Sequence, residues 1–282
     1  MKIGVSMPLP PRPPAVLIDP AVMAREAEKL GFESLWVAEH SVAPVEVKSY
    51  SPVFEKGQVP GFLDPMVALG RAAAVTKSIK LATGVMILPD HNPLLLAKEV
   101  ATLDLYSGGR VILGAGAGWL KEATKMLGGD PERPWAQSRE AALAMRALWS
   151  QDVAEFHGTF YDFPPVRCFP KPAQRPHVPI FLGGKGKNAI QRVVQWGDGY
   201  MPSFVTPDEI RHARAEVDRL APEAGRDPKK IPVMIYRAPP EREALKRFED
   251  AGAVRAVVFI PVVDTEKKAL EELYKAAEGA LG

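Results

Sequence analysis

The sequence predicts an α/β fold, a TIM (β/α)8 barrel, from three observations. Short apolar runs typical of strands alternate with longer helix-like segments along nearly the whole chain, which is the pattern of a parallel sheet with crossover helices. Eight such strand-and-helix units can be counted, and a length of 282 residues accommodates eight units. We therefore expect one barrel domain over residues 1–282 and not a doubly wound sheet.

Each predicted strand is a short, mostly apolar run, and the segments between strands carry apolar residues three and four apart, as amphipathic helices do. The first helical segment, PAVMAREAEKLGF, closes at Gly31, and a later one starts at Pro93. The eight strands are KIGVSM from Lys2, SLWVAE from Ser34, IKLATGVMIL from Ile79, RVILGAG from Arg110, PIFLGG from Pro179, GYMPSF from Gly199, PVMIYRA from Pro232 and AVVFIP from Ala256.

Two connections are too long for simple turns, so the barrel is expected to carry insertion loops after strand 2 and before strand 5. Residues 41–63 are rich in Pro, Gly and polar residues and follow strand 2, which predicts a lid or binding loop. Its aromatic residues Tyr50, Phe54 and Phe62 are candidates for a pocket wall. Residues 150–178 contain AEFHGTFYDF, which is typical of a hairpin packed on the barrel.

Composition narrows the class of partner. Lys and Arg total 36 against 34 Asp and Glu, a net charge near +2, which disfavours a nucleic-acid or membrane-surface binder and favours a small-molecule substrate. Cys168 is the only cysteine, so no internal disulfide can form. The opening residues MKIGVSMP resemble a strand, and no run is apolar enough for a signal peptide or membrane span. We expect a cytoplasmic protein.

The run SLWVAEH places an acid and a histidine directly after the second strand. In a TIM barrel the C-terminal strand ends carry the active site, whereas the N-terminal ends carry stability. Glu39 and His40 therefore point to chemistry, although a histidine that caps the barrel and a carboxylate that binds a loop remain an alternative.

Strand 3 contains a glycine among apolar residues, which marks a bulge or a close approach by another backbone or a ligand. Thr83, Gly84 and Val85 are therefore candidates for one wall of a flat-ligand pocket. His91 follows in a polar loop and has a weaker claim to a functional role.

Strand 4 runs into LGAGAGWL, which resembles a dinucleotide fingerprint. That fingerprint needs a third glycine where this chain has Trp119, and an acid about 20 residues further on after a strand, so a Rossmann fold is disfavoured. The alternating Gly114, Gly116 and Gly118 instead predict bare backbone at the barrel mouth, open to a planar ring or a phosphate.

Strand 5 ends in FLGGKGKN, and its backbone N–H groups and lysines at a helix start predict a phosphate site, with a plain tight turn as the alternative. The predicted phosphate-binding residues are Gly183, Gly184, Gly186 and Lys187. By position, Asp198 and Arg110 belong to the opposite end of the barrel and are expected to be structural.

No metal site is predicted. The five histidines, at 40, 91, 157, 177 and 212, lack paired spacing such as H-E-x-x-H. The sequence also has no G-x-S-x-G element and no P-loop lysine motif. A bound organic cofactor is therefore favoured over a metal or a serine nucleophile.

Three segments together resemble the bacterial luciferase-like superfamily of flavin- and deazaflavin-dependent oxidoreductases, and the branch of probable coenzyme F420-dependent oxidoreductases in particular. They are AREAEKLGFESLWVAEH (25–40), ATGVMILPDHNPLLLAKEVATLDLYSGGRVILGAGAGWL (82–120) and PIFLGGKGKNAIQRVVQWGDGYMP (179–202).

The resemblance implies a TIM barrel with an isoalloxazine or deazaflavin ring at its C-terminal mouth, and it suggests a homodimer. It maps a non-prolyl cis peptide onto Gly84–Val85 and an active-site histidine onto His40. It also implies that Gly116, Ala117, Gly118 and Trp119 contact the cofactor, whose phosphate Gly183 and Gly184 hold.

One position departs from the family. Some F420-dependent members have a glutamate proton donor where this chain has Trp119, and here Glu122 follows one helical turn later. The proton donor of such members cannot be transferred directly to this chain.

Four functions stay open at this point. The leading hypothesis is hydride transfer between coenzyme F420 and a small organic substrate, with His40 as the proton donor or acceptor, poised by Glu39. The others are an FMN-dependent monooxygenase, a flavin-binding protein without turnover, and a non-redox aldolase or isomerase. No lysine falls clearly at a strand end, which argues against a Schiff-base enzyme.

Overall fold

The structure is a computed structural model, and it describes residues 1–9, 18–45 and 61–282. Of the predicted 41–63 loop, only its two ends fall within these ranges. Tyr50 and Phe54 lie outside the described residues.

Eight parallel strands form a barrel, each at one of the eight predicted positions. The barrel strands are β1 (Lys2–Ser6), β2 (Ser34–Val37), β3 (Lys80–Thr83), β5 (Val111–Gly116), β8 (Ile180–Leu182), β9 (Gly199–Tyr200), β10 (Met234–Ala238) and β11 (Arg255–Val258). Their order around the sheet is β10, β11, β1, β2, β3, β5, β8, β9. Parallel bridges from Tyr200 to Val233 and from Ser203 to Tyr236 bring β9 back to β10, so the TIM-barrel prediction is confirmed.

The predicted third strand is interrupted. After Thr83 the chain leaves the ladder for two residues and resumes as β4 (Met86–Ile87), which pairs with β5. The peptide bond between Gly84 and Val85 is cis, as the family resemblance implied.

Helices cover the outside of the barrel, and several have the caps that the sequence indicates. Gly31 ends the first helix at φ +95°, and Asn92 caps the third by accepting from the backbone N–H of Leu94. The helices are α1 (Pro20–Leu30), α2 (Pro65–Ala73), α3 (Pro93–Ser107), α4 (Lys121–Met126), α5 (Pro134–Ser150), α6 (Ala189–Trp196), α7 (Pro207–Glu223), α8 (Arg242–Asp250) and α9 (Glu266–Leu281).

The segment before β8 contains the predicted hairpin. Strands β6 (Ala154–His157) and β7 (Asp162–Val166) pair antiparallel, and Glu140 of α5 accepts from the backbone N–H groups of Thr159 and Phe160 at their turn. The hairpin is therefore anchored to the helix layer.

The core has two parts. A large cluster fills the space between the barrel and its helices, and a smaller cluster fills the barrel interior. The interior cluster consists of Trp36, Ala82, Ile112, Phe181, Met201, Met234, Tyr236 and Val257, with Val85 packed against it. Because the interior is filled with side chains, a ligand site belongs at the mouth and not within the barrel.

The N-terminal end of the barrel is held by hydrogen-bonded charged side chains, and Asp198 and Arg110 lie there as predicted. Asp198 accepts from the backbone N–H of Ile180 at 2.8 Å and from Arg146 at 2.9 Å. The guanidinium of Arg110 donates to the hydroxyl of Thr76 and to the carbonyl oxygen of Ile79, both at 2.9 Å. Both side chains therefore stabilise the end opposite the mouth.

Candidate active site

His40 lies at the C-terminal mouth, three residues beyond the end of β2, and is 9% exposed. Its ring stacks on Trp119, with centroids 5.6 Å apart and planes 26° from parallel, and it meets the edge of Phe62 at 5.4 Å. The Nε2 atom of His40 is buried and has no hydrogen-bond partner among the described residues. Buried polar atoms are nearly always hydrogen-bonded, so this nitrogen is poised to bind a ligand.

Burial lowers the pKa of His40 below 6.5, and the nearby charge of Glu39 offsets only part of that effect. The imidazole is therefore neutral near pH 7. A neutral imidazole can accept a proton as a general base.

Glu39 is held by groups other than His40. Its carboxylate accepts from the backbone N–H of Ile87 at 2.5 Å, lies 2.6 Å from Nε2 of His91, and accepts from the hydroxyl of Ser41 at 3.2 Å. Glu39 was expected to poise the imidazole of His40; among the described residues no hydrogen bond joins the two, and Glu39 acts on His40 only through its charge. Glu39 instead ties the end of β2 to the segment that follows β4.

His91 is the site residue whose role the sequence pattern understated. Burial would lower the pKa of His91, but the hydrogen bond and charge of Glu39, with smaller contributions from Asp90 and Glu99, raise it above 6.5. The two residues are 52 positions apart, so only the fold brings them together.

The strand 3 bulge forms part of the mouth. The hydroxyl of Thr83 donates to the carbonyl oxygen of Gly114 at 2.7 Å, and the backbone N–H of Gly84 donates to Val37 at 2.7 Å. A side chain at Gly84 would lie 2.6 Å from the ring of Tyr236, which approaches across the barrel interior. The predicted close approach at this glycine is therefore made by a protein ring.

The space beside the alternating glycines of β5 is occupied by the bulge and is not left open. A Cβ at Gly114 would lie 2.0 Å from the carbonyl oxygen of Thr83, and one at Gly116 would lie 2.7 Å from Val85. Gly118, at φ +76°, similarly faces Ile87. These glycines create room for the segment on which a ligand would rest.

The segment from Gly116 to Trp119 continues from the end of β5 into the mouth. Gly116 pairs with Ile87, and Ala117 is buried. Trp119 is 36% exposed and presents one ring face to His40. The structure thus brings the predicted catalytic histidine, the bulge and this segment to the same end of the barrel.

The predicted phosphate loop lies at the end of β8. The backbone N–H of Gly183 is already used, because it donates to Ala115 at 2.8 Å, so Gly183 cannot donate it to an anion. The backbone N–H groups of residues 184–187 make no hydrogen bond to any described residue, and these residues are exposed. Gly186 and Lys187 also line a cleft of about 590 Å³ between this loop and α7.

Two further residues complete the mouth and were missed. Tyr236 forms its floor with Trp36, their ring centroids 6.0 Å apart, and burial raises the pKa of Tyr236 to about 12. Arg237 follows directly at the end of β10. The rule that flagged Glu39 and His40, polar residues at a C-terminal strand end, applies equally to "MIYRA".

Within the described ranges, no group of three or more His, Cys, Asp or Glu side chains is arranged to hold a metal ion. Over the same residues, no helix combines the length and apolar character needed to cross a bilayer.

The fold is a TIM (β/α)8 barrel with a buried histidine at its C-terminal mouth. The chain belongs to the luciferase-like monooxygenase family, whose sequence model matches residues 7–276. The family includes oxidoreductases that depend on either F420 or FMN.

The related proteins include both an F420-dependent and an FMNH2-dependent enzyme. An uncharacterized protein of Mycobacterium tuberculosis is 36% identical over 253 residues, 86% of this chain and 88% of that protein. An F420-dependent glucose-6-phosphate dehydrogenase of Amycolatopsis mediterranei is 29% identical over 205 residues, covering 71% and 57%. An FMNH2-dependent dimethylsulfone monooxygenase of Pseudomonas putida is 32% identical over 158 residues, covering 54% and 41%.

Solved structures agree on the fold. A monooxygenase from Streptomyces bottropensis superposes with a TM-score of 0.81 at 21% identity, over 100% of this chain and 99% of its own. An F420-dependent secondary alcohol dehydrogenase, in complex with an F420-acetone adduct, superposes with a TM-score of 0.78 at 20% identity, over 99% and 98%.

Proposed function

We propose that this protein transfers a hydride between coenzyme F420 and a small organic substrate, with His40 as the proton acceptor or donor. The observation that carries the proposal is the buried Nε2 atom of His40, which lacks a hydrogen-bond partner among the described residues at the mouth of the barrel. The relative named as an F420-dependent dehydrogenase supports the choice of cofactor.

The residues around the mouth fit a cofactor of this shape. Thr83, Gly84 and Val85 would back the deazaflavin ring, and the segment from Gly116 through Ala117 and Gly118 to Trp119 would contact its edge. Gly184, Gly186 and Lys187 offer unused backbone N–H groups and one cation for its phosphate, whereas Gly183 would contribute shape alone. When bound, the cofactor supplies the two-electron chemistry.

His40 manages the proton. In the direction of substrate oxidation, Nε2 of His40 would accept the proton of the substrate hydroxyl, and the bound cofactor would supply the two-electron oxidation. In the reverse direction, Nε2 returns the proton to the oxygen. The lowered pKa of His40 suits the accepting role near neutral pH.

Glu39 acts on this proton transfer indirectly, through its effect on His40. Its negative charge favours the protonated form of His40. Because the backbone N–H of Ile87 and the ring of His91 hold the carboxylate, that charge is fixed in place beside the imidazole.

An FMN-dependent monooxygenase is the second candidate, and the relative named as an FMNH2-dependent monooxygenase supports it. By the family resemblance, Trp119 stands where some F420-dependent members have a glutamate proton donor, and its indole covers one face of His40, which favours a flavin-binding protein without turnover as the third candidate.

An equilibrium titration of the cofactor-free protein separates the first two candidates. Cofactor fluorescence is followed while coenzyme F420 is added, and FMN is titrated in parallel. Micromolar or tighter binding of F420 alone is expected. Binding of FMN alone, with product formation that requires oxygen, would replace the proposal with the monooxygenase, and binding of neither would exclude both.

Proton transfer is tested separately with His40→Ala. We expect this variant to bind F420 with unchanged affinity and to reduce it more slowly in a single turnover. Tight cofactor binding without hydride exchange, across a panel of alcohols and carbonyl compounds, would indicate a flavin-binding protein without turnover.

A further inference from the structure

The end of β10 carries a bulge that changes the direction of one side chain. Tyr236 pairs with Val257 and Ala238 pairs with Val258, so Arg237 is an extra residue on this strand. Its φ is +67°, an uncommon value for a residue other than glycine. Bulges of this kind occur at barrel rims beside active sites, where they re-aim a side chain.

The guanidinium of Arg237 lies between two aromatic rings. Its central carbon is 4.4 Å from the ring centroid of Phe259 and 5.1 Å from that of Phe204. Phe204 also has a positive φ, +54°, and its carbonyl oxygen accepts from Lys185. Residues held in sparsely populated backbone conformations cluster at ligand sites.

Arg237 has neighbours on the inner side of the barrel. Val257 belongs to the interior cluster and Val258 to the outer one, so strand alternation returns Phe259 to the inner side. Tyr236, the residue before Arg237, contacts Trp36 and approaches Gly84. Arg237 therefore lies at the rim, over the floor residues.

The positive charge of Arg237 has no counterion in the part of the chain that the structure describes. No ion pair and no hydrogen bond to its guanidinium is found there, whereas Arg255 binds Glu33 through two bonds of 2.7 and 2.9 Å. Burial lowers the pKa of Arg237, yet a guanidinium stays protonated at neutral pH. The two rings contact the guanidinium without taking up its N–H groups, which are left for a ligand.

We propose that Arg237 is the specificity-determining residue that binds an oxyanion on the substrate, a carboxylate or a phosphate ester. This inference rests on the proposed function, because it takes the mouth of the barrel as the substrate site. The N–H fork of arginine matches two oxygens of such a group, and the rings of Phe204 and Phe259 hold the fork in place before binding.

Calorimetric titration of the full-length protein tests the proposal without turnover. The probes are benzoate, phenyl phosphate and the neutral isostere benzamide, with F420-loaded and cofactor-free protein. At least one anion should bind in the millimolar range or tighter, and benzamide at least about tenfold more weakly, since hydrogen bonds to charged groups exceed neutral ones by that order. Whichever anion binds identifies the oxyanion class.

Three variants assign the binding to Arg237. Arg237→Gln should weaken anion binding by about 10–100-fold, and Arg237→Lys should restore part of the loss because it keeps the charge without the fork. Arg133→Gln is the matched control, since Arg133 also stacks on a phenylalanine ring, at 4.7 Å from Phe160, but is already paired with Asp130. This control should bind the anion like the wild type.

Three outcomes would overturn the inference: no anion binding to the wild type, equal binding of benzoate and benzamide, or unchanged anion binding in Arg237→Gln. A tenfold loss of F420 affinity in Arg237→Gln would assign the guanidinium to the cofactor and also overturn it. Failure of hydride transfer alone would not, because anion binding is measured without catalysis. A melting temperature and circular dichroism spectrum like those of wild type confirm that each variant is folded.

Discussion

The two ends of the barrel treat buried charge in opposite ways. At the N-terminal end, Arg110 and Asp198 each make several hydrogen bonds. At the same end, Glu28 accepts from the backbone N–H groups of Ser78 and Ile79 at 2.6 and 2.9 Å. These groups join helices to strands, so their charge contributes to stability.

At the C-terminal end, polar atoms are left available. Among the described residues, three buried side-chain atoms lack a hydrogen-bond partner: Nε2 of His40 and Oδ1 of Asp90 near the mouth, and Nε of Arg146 at the opposite end. Burial is the largest cause of the raised pKa of Asp90, offset in part by the hydroxyl of Thr124. The difference teaches that charged groups at the N-terminal end are still tied to neighbouring residues, Arg146 through its bond to Asp198, whereas Nε2 of His40 and the guanidinium of Arg237 stay available to a ligand.

The largest expected effect is at the mouth. His40→Ala should lower turnover by about 10²–10⁴-fold, the usual contribution of a general acid or base. The free energy of unfolding should fall by only about 1–2 kcal/mol, because the variant loses the ring contacts with Trp119 and Phe62 but also removes a buried nitrogen that has no partner among the described residues. Single-turnover reduction of F420 and urea unfolding measure the two quantities, and wild-type turnover would contradict the role.

His40 also sets a pH dependence. Because burial lowers its pKa, the acid limb of kcat/KM for substrate oxidation should have its midpoint below pH 6.5. The pH–rate profile measures this midpoint, and a limb above 6.5 would mean that another group accepts the proton.

A substitution at the N-terminal end of the barrel should lower stability and not turnover. Arg110→Met leaves the carbonyl oxygens of Ile79, Thr76 and Ser107 without their donor, which should lower the free energy of unfolding by about 3–5 kcal/mol. Urea unfolding measures the loss, and turnover per folded molecule should remain that of the wild type. An Arg110→Met variant that lost turnover but kept its stability would contradict the stabilising role of the N-terminal end.

His91 lies at the mouth but, like the charged groups of the N-terminal end, it has a hydrogen-bond partner, so its substitution should affect stability. His91→Gln removes the ring that binds Glu39 and should destabilise the protein by about 1–3 kcal/mol at pH 6. The folded pKa of His91 is above its unfolded value of 6.5, so the charged part of this stability is complete below pH 6.5 and is lost as the pH rises through the folded pKa. The stability gap between wild type and variant should therefore narrow at pH 9, and a constant gap would contradict the charge contribution.

The smallest effect is expected at Glu28. Burial opposes ionisation of this carboxylate, but hydrogen bonds from the backbone N–H groups of Ile79, Ser78 and Lys77 lower its pKa from 4.5 to about 2. Its contribution is complete above pH 4.5 and is lost as the pH falls toward 2. Glu28→Gln should cost about 1–2 kcal/mol at pH 7 and almost nothing at pH 2, as measured by thermal unfolding.

Much of the fold could be predicted because the signals are local. Each strand is an apolar run, Gly31 and Asn92 are residue types that cap helices, and the hairpin lies within one continuous stretch, residues 154–166. The bulge at Gly84 was also indicated by one glycine in a strand.

The site was harder because its contacts are not local. Nothing near Glu39 in the sequence shows that its partner is His91 and not the adjacent His40. The glycines of β5 appeared open to a ligand because sequence alone does not show which segment packs against them. Arg237 was overlooked because the direction of its side chain depends on a bulge and a positive φ. An arginine in the sequence does not predict either feature.

The close packing of β5 against the bulge limits which residues of this protein can be changed by engineering. Any side chain larger than hydrogen at Gly114 or Gly116 would push Thr83 or Val85, so the segment proposed to bind the cofactor and the wall of the barrel cannot be varied independently. Libraries for a new substrate should leave both segments intact. Diversity is better placed at Phe204 and Phe259, whose rings border the mouth without forming the ladder that holds the bulge.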